Sequence, residues 1–128
     1  MSNESSIAEL KKICDQIGSE IALEVDRSNG DEIAGKLANL SNLLSTSIHA
    51  CALSKQVYSQ RIMELTLDIA YLKLSATDRK NIFAGRAKIE GYYMDLCEEQ
   101  NKALKYSIEA LRSMLSYLKQ EMQHLQTQ

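Results

Sequence analysis

Apolar side chains recur along this chain every three or four positions, in three blocks separated by two short polar interruptions. The first block is Ile7, Leu10, Ile13, Cys14, Ile17, Ile21 and Val25, one stripe of an amphipathic helix. Ser6 followed by Glu9 reads as a capping box that opens it. Asn29-Gly30 offers a left-handed C-cap, with Asp31 free to cap the next helix. The pattern predicts helix 1 over about residues 7–27.

The second block carries a heptad repeat. One column is Leu37, Leu44, Cys51, Tyr58, Leu65 and Leu72; the other is Ala34, Ser41, Ile48, Lys55, Ile62, Ile69 and Ala76. Columns alternating three and four residues apart follow the coiled-coil rule. Nothing in the segment except Gly35 opposes a helix, so helix 2 is predicted over about residues 32–75, a rod of ~65 Å at 1.5 Å per residue. Ser75-Ala76-Thr77-Asp78-Arg79 is the predicted turn, with Thr77 or Asp78 as cap. Helix 3 is predicted over about residues 79–125. Its later seam is Met94, Cys97, Asn101, Leu104, Ile108, Leu111, Leu115, Leu118, Met122 and Leu125. Asn101 and Lys55 are polar residues on these seams and read as devices that fix register.

The expected fold is therefore all-α and a single domain: a long antiparallel, coiled-coil-like hairpin with a shorter N-terminal helix on one half. Helix 1 covers the half where helix 2 begins and helix 3 ends, and there Leu40, Leu43 and Leu53 broaden the apolar face. The other half lacks a third helix, yet helix 3 carries a second apolar column there, Ile82, Ile89, Leu96 and Ala103, beside Phe83 and Tyr93. Unsatisfied apolar surface of this kind calls for a partner. A homodimer or higher homo-oligomer through Ile82, Phe83, Ile89, Tyr93 and Leu96 is the expectation.

Composition supports this reading. The 128 residues contain no Pro, no Trp, one Phe and five Gly, too few turn-formers for a sheet protein. The three cysteines are odd in number and widely spaced, and each sits on an apolar stripe, so they read as buried thiols of a reducing compartment. No stretch approaches ~20 apolar residues and no signal-type leader is evident, so no membrane is expected and the cytoplasm is the expected location.

The net charge of −2 hides a gradient. Residues 1–34 carry eight acids against three bases, while residues 35–93 carry eight bases against four acids. Lys73, Arg79, Lys80, Arg86 and Lys88, with Tyr92 close behind, gather at the predicted hairpin tip. Bases beside an aromatic ring suit a phosphate backbone or an acidic protein face. The acids of helix 1 (Glu9, Asp15, Glu20, Glu24 and Asp26) lie mostly opposite its stripe, as a solvated face or a docking surface.

Catalytic signatures are weak. Glu121 and His124 match the Glu-x-x-His spacing of di-metal bundles, but they flank the seam rather than enter it. His49 has no recognisable catalytic partner, no Cys/His spacing suits zinc, and Gly85 and Gly91 stand singly rather than in a phosphate loop. These two glycines read instead as places of close helix approach or bending. A non-enzymatic chain without cofactor or metal is expected.

The segment Ala103-Leu104-Lys105-Tyr106-Ser107-Ile108-Glu109-Ala110-Leu111-Arg112-Ser113-Met114-Leu115-Ser116-Tyr117-Leu118-Lys119-Gln120-Glu121-Met122 resembles the C-terminal segment of small helical accessory proteins of tailed bacteriophages and prophages. The resemblance covers about a sixth of the chain. It implies an accessory protein of the host cytoplasm that binds or inhibits a protein partner, or, alternatively, a nucleic-acid-binding accessory protein of phage DNA metabolism that uses the basic tip.

Overall fold

In the computed structural model, which describes residues 3–127, four helices succeed one another: α1 (Asn3–Ala22), α2 (Gly30–Thr66), α3 (Ala76–Arg86) and α4 (Lys88–Thr127). A 3-10 turn at Ile69–Tyr71 lies between α2 and α3. The helices α2 and α4 run antiparallel: Gly30 lies against Leu118, Ser47 against Asn101, Cys51 against Cys97 and Tyr58 against Gly91. The shorter α1 lies in the groove between them, antiparallel to α2, with Ile17 near Ile33 and Leu40, and Leu10 near Ala50 and Cys97. The fold is the all-α hairpin with a covering N-terminal helix that the periodicity predicts. Among the described residues, no helix is long and apolar enough to cross a membrane.

The boundaries differ where short polar side chains intervene. The first helix begins at Asn3, so Ser6 lies inside it and is buried rather than capping it. It also ends five residues early, at Ala22. Lys36 of α2 reaches across and donates its ammonium to the carbonyls of Ile21 and Leu23, satisfying the orphan acceptors at that end. The Asn29-Gly30 pair closes no left-handed cap, since no described glycine has positive φ. Instead Asn29, in extended conformation, is the N-cap of α2, accepting from the N–H of Asp31 (3.1 Å) and Glu32 (3.2 Å). Asp31 and Glu32 then sit in the first turn, where negative charge suits the helix dipole.

The second helix stops at Thr66, nine residues before the predicted end. Thr66 turns its hydroxyl back to the Ile62 carbonyl (2.8 Å), and Asp68 accepts from the N–H of Ala70 (3.0 Å) to cap the 3-10 turn. Short side chains that bond their own backbone compete with helix in this way. Ser75, rather than Thr77 or Asp78, caps α3 by accepting from the Asp78 N–H (3.1 Å). The predicted third helix is two helices with a break at the buried Ala87, whose backbone (φ −101°, ψ 24°) departs from helical values. The Ala87 N–H still reaches the Phe83 carbonyl, and the Gly91 N–H reaches the Ala87 carbonyl, so the chain bends there with its ladder interrupted only between these two bonds. That bend swings Phe83 inward against Leu65 and Ala87.

The core runs through three linked clusters. Ile17, Ile33, Leu40, Leu43, Leu104, Ile108 and Leu111 form the largest, where α1, α2 and α4 meet. Leu10, Cys14, Ala50 and Cys97 continue it, and Leu65, Phe83 and Ala87 close the tip. The α4 seam is the predicted one through Leu118. The α2 seam is rotated: its buried residues are Ile33, Leu40, Leu43, Ser47, Ala50, Ser54, Val57 and Leu65. Ile48 and Lys55 are therefore exposed, and Leu37, Leu44, Cys51 and Tyr58 flank the seam half-buried. The helix must face α1 as well as α4, and small residues at 47, 50 and 54 let three backbones approach closely. Asn101 keeps its expected place, half-buried, and donates to the Ser47 hydroxyl at 2.9 Å. Lys55 holds no seam position and fixes no register.

Candidate interaction surface and the buried thiols

The tip is built from the end of α2, the 67–75 connection, α3 and the start of α4. Its exposed large apolar residues are Met63, Leu67, Ile69, Leu72 and Ile89, with Ile82 at the margin. Leu67 is 74 % and Ile69 80 % accessible. Beneath them Tyr71 meets Phe83 edge-to-face, ring centroids 5.4 Å apart, so the patch rests on a packed base.

The basic residues divide in role. Lys73, Lys80, Arg86 and Lys88 are exposed, and Arg86 lies beside Met63 and Ile89. Arg79 is half-buried and turned inward: its guanidinium donates to the carbonyls of Leu74 and Leu72, each at 3.1 Å. It holds the connection together rather than presenting itself to a partner. Tyr92 is exposed but packs edge-to-face on Tyr93, centroids 5.2 Å apart. Arg86 lines an open groove with Asn3, Arg61, Glu64, Ile89 and Glu90. The carboxylates of Glu64 and Glu90 lie close to Arg61, at 3.4 and 4.0 Å, so the groove has both signs of charge. A phosphate chain would meet repulsion there as well as attraction.

The predicted self-association face splits. Ile82 and Ile89 point to solvent, but Phe83 is buried by the bend at Ala87, and Tyr93 and Leu96 pack on the cluster of Leu10, Cys14 and Cys97. The first helix thus reaches further along the hairpin than one half and takes part of the second apolar column for itself. What remains open has shifted toward the 63–72 segment, which the sequence pattern assigned to continuous helix.

At the far end α4 continues beyond its last contact with α2. Residues 119–126 are exposed, among them Met122 and Leu125, which complete the heptad with nothing opposite. Glu121 and His124 lie on this overhang. The Tyr117 hydroxyl bonds to Glu121, which pushes the phenol upward, and no facing helix brings further carboxylates. His49 pairs with Glu9 at 3.7 Å on the exposed side of α1 and α2. Among the described residues, no group of three or more His, Cys, Asp or Glu is disposed to hold a metal ion.

One constellation escapes sequence reasoning. Cys14 of α1, Cys51 of α2 and Cys97 of α4 converge although they are far apart in the chain. The Cys14 and Cys97 sulfurs are 3.6 Å apart and buried, and the Cys51 thiol donates to the Cys97 carbonyl at 3.3 Å. Gln100 donates its amide to the Cys14 carbonyl at 2.8 Å, pinning α1 to α4 beside the pair. Two buried thiols this close share one hydrogen bond. The Cys14 S–H stabilises a thiolate on Cys97, holding that group down at about 7, while the same bond together with burial raises Cys14. The Ser54 hydroxyl contributes less, because its proton goes to the Cys51 carbonyl at 2.8 Å. Burial raises Cys51. Only the shared stripe of α1, α2 and α4 hinted at this meeting, since each cysteine lies on an apolar face.

Comparison with known proteins finds no matching family model, no matching curated protein and no matching solved structure.

Proposed function

We propose that this chain is a non-enzymatic helical interaction protein of the cytoplasm that self-associates and acts by binding or inhibiting another protein. The observation that carries the reading is the tip, where Met63, Leu67, Ile69, Leu72 and Ile89 stand exposed on the same stretch of chain as the exposed Lys73, Lys80, Arg86 and Lys88. Exposed apolar side chains with charged ones nearby suit a protein interface. In the same reading the chain is a small accessory protein of the tailed-phage kind that residues 103–122 resemble, working in a host cell. The two signs of charge around Arg86 favour a protein surface over a nucleic acid.

Sedimentation equilibrium at micromolar concentration tests the self-association. The expected mass is at least twice the 14.4 kDa of the chain, and Ile69→Glu with Ile89→Glu should return it to the chain mass with helicity unchanged. A wild-type protein that stays at 14.4 kDa throughout would remove self-association from the reading. Anisotropy of labelled oligonucleotides across a salt series tests the alternative. Binding that weakens steeply with salt and disappears in Arg86→Glu would make the tip a phosphate-binding surface instead.

A further inference from the structure

We propose that Cys14 and Cys97 are an oxidisable dithiol that closes a disulfide between α1 and α4 when the protein meets a peroxide. The two sulfurs already lie 3.6 Å apart, and nothing stands between them. A disulfide needs about 2.0 Å, a distance that small side-chain rotations and a slight approach of the helices supply. The surrounding structure favours that approach. The Gln100 amide bond to the Cys14 carbonyl holds the two helices alongside each other. Cys51 is the competing partner, but its thiol is directed at the Cys97 backbone carbonyl rather than at either sulfur.

The chemistry balances with the peroxide as the two-electron oxidant. The Cys97 thiolate attacks one peroxide oxygen, the O–O bond breaks, and the distal oxygen leaves as water after taking a proton. Cys97 becomes a sulfenic acid. The Cys14 sulfur then attacks the Cys97 sulfur, the S–O bond breaks, and the hydroxyl departs as a second water with the Cys14 proton. Two thiols and one peroxide thus give one disulfide and two waters. Both sulfurs are buried, so the reaction requires a transient local opening around α1, the helix that carries Cys14. Once formed, the bond ties α1 to the hairpin and ends that motion. Cys51 lines an open groove with Lys55, Met94, Asn101 and Lys102, which leaves it the most readily alkylated of the three.

The deciding experiment treats the folded protein with graded hydrogen peroxide, blocks free thiols with N-ethylmaleimide, and maps peptides without reduction. The expected product is an intramolecular Cys14–Cys97 linkage with Cys51 carrying the maleimide. Its rate should rise with pH as the attacking thiolate forms. Cys51→Ser should leave the linkage intact, while Cys14→Ser or Cys97→Ser should abolish it. A linkage through Cys51, a linkage only between chains, or three thiols that all remain alkylatable would overturn the proposal. Because the mapping is made on the wild-type chain, it decides the matter even if a serine variant fails to fold.

Discussion

The covered half of the hairpin and its tip treat their apolar residues in opposite ways. In the half covered by α1, Leu10, Ile33, Leu40 and Leu104 lose essentially all contact with water. At the tip, Leu67, Ile69 and Leu72 keep most of theirs. The third helix makes the difference. With three helices meeting, a seam residue has neighbours on two sides; Leu67, Ile69 and Leu72 lie instead in the connection between α2 and α3, outside that meeting. The covered half is thus where the molecule stores its stability, and the tip is where it has surface left to share.

The largest expected effect breaks the comparison at its strongest point. Leu104→Ala leaves a cavity among α1, α2 and α4 and should cost about 3 kcal/mol in urea unfolding. Leu72→Ala at the tip should stay within about 0.5 kcal/mol of wild type under the same conditions. Equal losses at the two sites would mean that the tip is buried in solution, by a second copy or otherwise. Of intermediate size is the cap of α2. Asn29→Ala frees the N–H groups of Asp31 and Glu32 and should cost about 1 kcal/mol, read as a shift in the urea midpoint at constant slope. The smallest effect runs the other way. An alanine Cβ at Gly91 meets the Tyr58 ring at an ordinary 3.6 Å, and one at Gly85 meets nothing within 4 Å. Each substitution should therefore stabilise by about 0.5 kcal/mol through helix propensity alone. A loss at Gly91 would show that α2 and α4 approach more tightly there than this packing allows.

How much of the molecule is legible in its sequence depends on residue chemistry. The α4 seam can be read directly, because Leu104, Ile108 and Leu111 are apolar and recur at the expected spacing. The α2 seam cannot, because Ser47, Ala50 and Ser54 lie in the core while the larger Ile48 lies outside it. Small residues serve closeness there, and periodicity counts them as polar or neutral. The tip reads as plain helix since its connection contains Leu, Ile, Tyr and Ala and neither Gly nor Pro. Its turns are made by side-chain caps at Asp68 and Ser75 instead. Of the basic cluster, Lys73, Lys80, Arg86 and Lys88 stand outward as the charge pattern suggests. Arg79 does not, because its partners are carbonyls of a connection that the pattern assigns to helix. The meeting of three cysteines depends on how α1 lies in the groove, which no local pattern records.

The single hydrogen bond between Asn101 and Ser47 has a mechanical consequence. Apolar seams slide past one another at little cost, since leucine meets leucine after every heptad. A slip of one turn, ~5.4 Å, would take the Asn101 amide away from Ser47 and leave two polar groups facing hydrocarbon, at about 1–3 kcal/mol each. The hairpin is therefore a rod with a detent at Asn101, to which the Cys51 bond to the Cys97 carbonyl and the Arg61–Glu90 pair add. A load applied at the tip passes along α2 and α4 together to the far end, as tilt or bending, and is not absorbed as sliding between them.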